Sequence, residues 1–280
     1  MVADNCSCDF VRHKIIYGID ELVPYINWAY FYFAWQLRDS VGQARIRSEA
    51  ENVLVMIAGR GYRVHAVFVV ADANSDGDDI LIGGIRLPML RQQKVAEDGA
   101  PNLCLADYVR PLSSGMSDRA GVFATTVDIG LETDFAGDDY MKMMVQLLAD
   151  RLAEAAAERM HEQVRKVFWG YVPDEHLTVD DLHHERFTGI RPAIGYPSLP
   201  DASLNFIIAD ILCFDELGIR ITESGAMKPH ASVSGLMIAH PKARYFSVGQ
   251  IGEDQLADYA YRRGMSVEMM RRFLTSNLRL

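Results

Sequence analysis

The chain has 280 residues, 49% hydrophobic and 24% charged, with a formal net charge of −10. That length buries a sizeable core in one large or two modest domains, and the acidic balance speaks against a nucleic-acid partner, whose phosphates demand a basic face. Four cysteines are too few for a disulfide scaffold. No apolar run approaches the ~20 residues that span a bilayer, so no membrane partner is expected and the expected location is cytoplasmic.

Residues 1–18 are expected to be a flexible lead, followed by a single domain over residues 19–280. Cys6 and Cys8 in the lead make a Cys-x-Cys pair, but a zinc-type site takes about four ligands and no second cysteine pair follows. In the aromatic run of residues 19–37, Asp20 is placed to cap a short helix that Pro24 limits. Residues 53–58 read as an apolar segment and residues 64–71 as a strand, joined by Gly59-Arg60-Gly61. This junction opens like a dinucleotide-binding loop, but the sixth position is Val64 and no helix signal follows. Residues 72–80 imitate the start of an EF-hand loop. The twelfth position, where a glutamate closes a calcium shell, is Gly83, so a turn between strands is the better reading.

Residues 120–130 are β-branched and aromatic and read as a strand. From Asp138 to about Val167, apolar residues such as Met144, Leu148, Leu152 and Ala155 recur at three- and four-residue steps, which predicts one long helix. His161-Glu162 opens like a zinc-protease helix, but the residue four after His161 is Arg165. His183 and His184 are adjacent, and neighbouring helical side chains do not converge on one ion. The stretch from Arg191 to Pro200 holds three prolines and Gly195, so it is neither helix nor central strand but a stiff loop. Arg191, a bidentate carboxylate partner, and Tyr196 on that loop suit a pocket for a small zwitterion. Beyond it, residues 204–214 read as an apolar helix, and residues 219–222, 232–239 and 245–251 as strands. Residues 253–263 read as a helix closed by Gly264, and Ser266 caps a last helix to about Leu274. Helices and strands mix without strict alternation, so the expected fold class is α+β, with a curved, largely antiparallel sheet flanked by helices.

Several ordered runs carry a resemblance. Arg191-Pro192-Ala193-Ile194-Gly195-Tyr196-Pro197, Thr222-Glu223-Ser224-Gly225-Ala226-Met227, Ala231-Ser232-Val233-Ser234-Gly235 and His240-Pro241 resemble the activation domain of cobalamin-dependent methionine synthase. Leu90-Arg91-Gln92-Gln93, Leu105-Ala106-Asp107-Tyr108, Asp150-Arg151-Leu152-Ala153-Glu154 and Arg262-Arg263-Gly264-Met265-Ser266 extend it over roughly residues 20–278, in the family's order.

The resemblance implies that the chain binds S-adenosylmethionine and presents its methyl to the cobalt of cobalamin after one-electron reduction, rescuing cob(II)alamin. It assigns Arg191 to the methionyl carboxylate, Ala193 to backbone contacts with the ligand, and Tyr196 to the neighbourhood of the sulfonium methyl. Glu154 and Glu185 match acidic positions of the site, and Tyr245 and Phe246 match an aromatic pair beside the ligand. Asn27 stands where the family carries an aspartate that contacts S-adenosylmethionine, so the charge offered there is lost. Nothing in the chain resembles the homocysteine, folate or cobalamin modules. The implied partners are therefore cobalamin-binding methionine synthase modules on a separate chain and a flavodoxin-like reductant. A second reading is a non-catalytic small-molecule-binding or protein-interaction module descended from that domain, and Asn27 supports it. No residue is expected to act as a covalent catalyst and no metal ligand set is expected, since no nucleophile elbow or triad can be placed.

Overall fold

The structure, a computed structural model, describes residues 10–94 and 99–278. The strands are β1 (His13–Gly18), β2 (Arg63–Asp76), β3 (Asp79–Ile82), β4 (Ile85–Pro88), β5 (Asp118–Val127), β6 (Arg220–Ile221), β7 (Met227–Lys228) and β8 (Ser232–Met237). The helices are α1 (Ile19–Leu22), α2 (Trp28–Ala34), α3 (Ser40–Gly59), α4 (Gly130–Thr133), α5 (Asp139–Gln163), α6 (Val179–His183), α7 (Leu204–Leu212), α8 (Glu253–Arg263) and α9 (Val267–Phe273). This is the α+β architecture expected, built on one antiparallel sheet in the order β4-β3-β2-β5-β8, with β1 also paired to β2.

The long strand β2 organises the sheet. Its first half pairs with β1 (His13 opposite Phe68, Gly18 opposite Arg63) and its end with β3 (Ala73 opposite Ile82). Along its other edge it pairs with β5 from Val64 opposite Val127 to Ala73 opposite Asp118. Because strand side chains alternate between faces, Val64, Ala66 and Phe68 enter one core with α3 and α5. Val67 and Val69 enter a second core with α7. Both faces are covered, which is why β2 and β5 read as continuous apolar runs rather than as alternating ones. Each fully buried Leu, Val or Phe in these layers contributes about 1.5–3 kcal/mol. A third, smaller cluster of Leu256, Tyr259, Met270 and Leu274 ties α8 to α9.

Helix α5 is the central rod of the first core. The Asp138 carboxylate accepts from the backbone amides of Tyr140 and Met141, which stops the helix fraying at its start. Ala149, Ala153, Ala156 and Ala157 are buried, and such small side chains let the helix backbone lie close to the sheet. Thr125 of β5 donates its hydroxyl to the Ala153 carbonyl at 2.9 Å. Beyond Gln163 the helix widens into a single π turn, Val164–Phe168.

Three expectations are corrected. His13–Gly18, counted with the flexible lead, is strand β1, because β2 is longer than β3 and leaves its first half open to a partner. Cys6 and Cys8 lie outside the described residues. Residues 53–58 end helix α3 rather than forming an extended segment. There Asp39 caps the start through the Gly42 amide, and Ile46, Ala50, Val53, Leu54 and Ile57 make a helical stripe into the core. Residues 245–251 are not a strand. The edge of β8 is already occupied by the loop after Gly189, through bridges Ile190–Ile238 and Ala193–Gly235, so the segment finds only isolated partners such as Val248 N–H to the Pro197 carbonyl. Among the described residues no helix is long and apolar enough to cross a membrane.

Candidate functional site

The proline-rich loop is held against β8 by a close backbone approach. A Cβ on Gly235 would sit 2.2 Å from the Pro192 carbonyl oxygen and 2.9 Å from Ala193 Cα, so only glycine lets the loop lie flat there. Ile194 N–H donates to the Ser234 carbonyl, and Leu236 N–H to the Pro192 carbonyl. The loop then turns at Gly195, whose φ of +87° suits a residue without a side chain, and Leu199 N–H closes the turn on the Tyr196 carbonyl. The result places Arg191 and Ala193 at the bottom of a cavity and Tyr196 at its rim.

That cavity has a volume of about 630 Å³, and all eight residues expected to contact a ligand line it: Asn27, Glu154, Glu185, Arg191, Ala193, Tyr196, Tyr245 and Phe246. They come from the start of α2, the middle of α5, the segment after α6, the proline loop and the irregular stretch after β8. The volume falls within the range of about 300–1,000 Å³ usual for small-molecule sites.

Each side chain has a definite role in the wall. Asn27 is spent partly on architecture, its side-chain oxygen capping α2 through Ala29 N–H at 3.2 Å. Glu154, at mid-α5, accepts the Tyr196 hydroxyl at 2.7 Å. Burial, then this carboxylate, raises the Tyr196 pKa, so the phenol stays protonated as a donor. Tyr245 accepts the Arg191 backbone N–H on its hydroxyl at 2.9 Å, and burial raises its pKa. Glu185 adopts a left-handed backbone, φ +55°, after α6. Desolvation raises its carboxyl pKa against the pull of Arg191.

Arg191 is the charged floor of the site. Its side chain is 10% exposed and donates from Nη2 to Glu158 Oε2 at 3.1 Å, with the guanidinium carbon 5.6 Å from the Phe123 ring centroid. Glu158, one turn after Glu154 on α5, is a lining residue that the sequence reading missed. A signal existed: a second glutamate at i+4, set among alanines that are all buried, marks a carboxylate on the covered face of a helix. Behind it lies His161, fully buried. Its Nδ1 faces Arg165 Nη1 at 2.9 Å, and since arginine only donates, the imidazole proton belongs on Nε2. Burial, then the charges of Arg165 and Arg191, hold the His161 pKa well below the usual histidine value, so the ring is neutral.

The adjacent histidines part company. His183 Nε2 bonds the Tyr25 carbonyl at 3.0 Å, and His184 Nδ1 bonds the Asp180 carbonyl at 2.8 Å. Among the described residues no group of three His, Cys, Asp or Glu side chains is placed to hold a metal ion.

What the arrangement can do chemically is bind a small zwitterion or cation. It offers a buried guanidinium, three glutamates in or around one cavity, and aromatic walls from Tyr245 and Phe246. The family pattern described as "Vitamin B12 dependent methionine synthase, activation domain" matches residues 18–264. A crystal structure of the MetH reactivation domain bound to AdoHcy superposes with a TM-score of 0.92 at 38% sequence identity, covering 97% of this chain and 91% of that one.

Proposed function

The chain belongs to the family of vitamin B12 dependent methionine synthase activation domains, and we propose that its cavity binds S-adenosylmethionine and presents the sulfonium methyl to a cobalamin carried by methionine synthase modules. One observation carries the reading. The eight residues at the positions where the resemblance places ligand contacts, seven of them besides the departing Asn27, are scattered over the chain, yet they line a single cavity around a buried arginine. The AdoHcy held by the 38% identical MetH reactivation domain is the demethylated product of that ligand and supports the same assignment.

The residues fit the ligand. Arg191 suits the methionyl carboxylate, since a guanidinium matches a carboxylate as a fork. Glutamate charges suit the ammonium and sulfonium, and Tyr245 and Phe246 offer rings to the purine. A cobalamin docked at the rim, reduced by one electron from a flavodoxin-like donor, would supply the nucleophile, and S-adenosylmethionine held by Arg191 and the glutamates would give up its methyl and leave as S-adenosylhomocysteine. The chain's own part is to hold the donor in line and keep Tyr196 at the rim as a protonated hydrogen-bond donor. A non-catalytic binder is favoured by one feature, the uncharged Asn27, and would bind the ligand without passing on its methyl.

Calorimetric titration with S-adenosylmethionine tests the reading. Saturable binding is expected, weakened roughly 10- to 150-fold by Arg191→Ala, the equivalent of about 1.5–3 kcal/mol for a hydrogen bond to a charged group. Absence of heat and of any thermal shift at millimolar ligand overturns it. Binding without methyl transfer to added cob(II)alamin under reducing conditions selects the non-catalytic reading.

A further inference from the structure

One flank of the cavity is closed by a loop that has its own anchor. Tyr171 donates its hydroxyl to the Thr188 carbonyl at 3.0 Å, so the chain leaves and returns at nearly the same point, as an Ω-loop does. Inside that neck both ends rest on one fully buried side chain, Arg165. Glu175 Oε2 accepts Arg165 Nη2 at 2.7 Å, and the guanidinium carbon lies 4.5 Å from the Phe187 ring centroid. Pulling Glu175 away would strand a buried charge, so the ends stay put.

Residues 176–186, between those anchors, are bound mainly to themselves. Thr178 and Asp181 cap the start of α6 reciprocally, and Asp181 also accepts Arg186 Nη1 at 2.6 Å. At the far end Glu185 N–H donates to the Leu182 carbonyl and Arg186 N–H to the Asp181 carbonyl. That pair of bonds closes a helix whose left-handed position is usually glycine. Here the position is Glu185, φ +55°, and it lines the cavity with Leu182 and His183. Against the rest of the protein the piece holds little. Among the described residues it buries one side chain, Leu182, and makes one outward hydrogen bond, from His183 Nε2 to the Tyr25 carbonyl at 3.0 Å. Tyr25 is the fixed jaw, its hydroxyl donating to Glu162 Oε2 of α5 at 2.7 Å and its ring lying under Arg159. Segments with so few outward ties open before the core does.

We propose that residues 176–186 are a hinged cover over the cavity, anchored at Arg165 and latched by His183 on Tyr25, whose opening admits and releases the ligand; the identity of that ligand rests on the S-adenosylmethionine reading above. The latch joins protein to protein, so weakening it speeds entry and exit alike and leaves affinity nearly unchanged.

Hydrogen exchange on the ligand-free chain reads the cover alone. Amides of residues 179–186 are expected to exchange together, about 10-fold or more faster than those of residues 152–160 in α5, and to slow when S-adenosylmethionine is bound. Exchange as slow as that of α5, or unaltered by a ligand that binds, overturns the cover. Stopped-flow binding then reads the latch. His183→Ala is expected to raise association and dissociation rates by a common factor of about 3 to 10, with Kd changed by less than about twofold. His183→Gln, whose amide can still donate to the carbonyl, is expected to recover the slow rates. A rise in dissociation alone makes His183 a ligand contact and overturns the latch, as do unchanged rates. Fast concerted exchange in a chain that binds no S-adenosylmethionine upholds the cover and overturns the ligand reading.

Discussion

Two arginine–carboxylate groups in this molecule differ in how completely they are closed. In the first, Asp201 is 1% exposed and fully engaged: Oδ1 accepts Ser203 N–H at 2.8 Å, and Oδ2 accepts the Ser203 and Tyr259 hydroxyls and Arg263 Nε. The related Arg91 spends its guanidinium on Asp78, Asp107 and the Asn102 carbonyl. The Asp201 group joins the end of the proline loop to α8, and the Arg91 group joins the β2–β3 turn to residues 102–107. In the second group, Glu158 and Arg191 make one contact and each keeps an open atom. Similar charge and burial therefore come with different degrees of satisfaction. The first network is closed on every side, and the second leaves two buried polar atoms without a partner beside the cavity.

The contrast breaks first at Asp201. Asp201→Ala leaves Arg263 buried without its carboxylate and is expected to cost about 3–5 kcal/mol of stability, read by chemical denaturation, while S-adenosylmethionine affinity of the remaining folded protein holds. Equal damage to stability and binding would show that the two groups are not separate in function.

A smaller effect sharpens the comparison behind the cavity. The folded His161 takes up a proton far less readily than the unfolded one, so the unfolded state binds more protons below about pH 6.5. Stability from this residue is full above that pH and falls as pH drops through the unfolded value, with a slope of at most about 1.4 kcal/mol per pH unit. His161→Gln is expected to flatten that acid limb of the stability curve. An unchanged slope would mean that other groups own it.

The smallest expected effect is at Asn27. Asp at this position keeps an oxygen for the Ala29 cap and adds a negative charge to the cavity wall. Asn27→Asp is expected to tighten S-adenosylmethionine binding by about threefold to tenfold, up to about 1.4 kcal/mol. No change by calorimetry would show that the ligand's ammonium does not lie at this position.

Parts of this structure were legible in advance because their signals are local. The three- and four-residue recurrence over Met144, Leu148 and Leu152, starting from Asp138, marked α5, and the structure makes Asp138 its cap. Gly264 and Ser266 marked the end of α8 and the start of α9, and both positions do so. Helix α3 was hidden because its last turns are β-branched and apolar, a composition that strands share. Its identity was decided by packing of Ile46, Val53 and Ile57 against α1 and α5. β1 and the stretch after Arg244 were misread for the reverse reason. A short run becomes a strand only where a sheet edge is free, and that depends on strands and loops far along the chain.

The sequence by itself determined the family, the α+β class, the stiff loop from Arg191 to Pro200 and residue types suited to a zwitterion. Only the tertiary structure decided that Asn27, Glu154, Arg191 and Tyr245 share one cavity. It alone decided that Glu158 joins them with an oxygen left open, while Asp201 is closed on every side. Whether a buried charge is satisfied is a sum over neighbours that folding brings together, and no window of the sequence contains that sum.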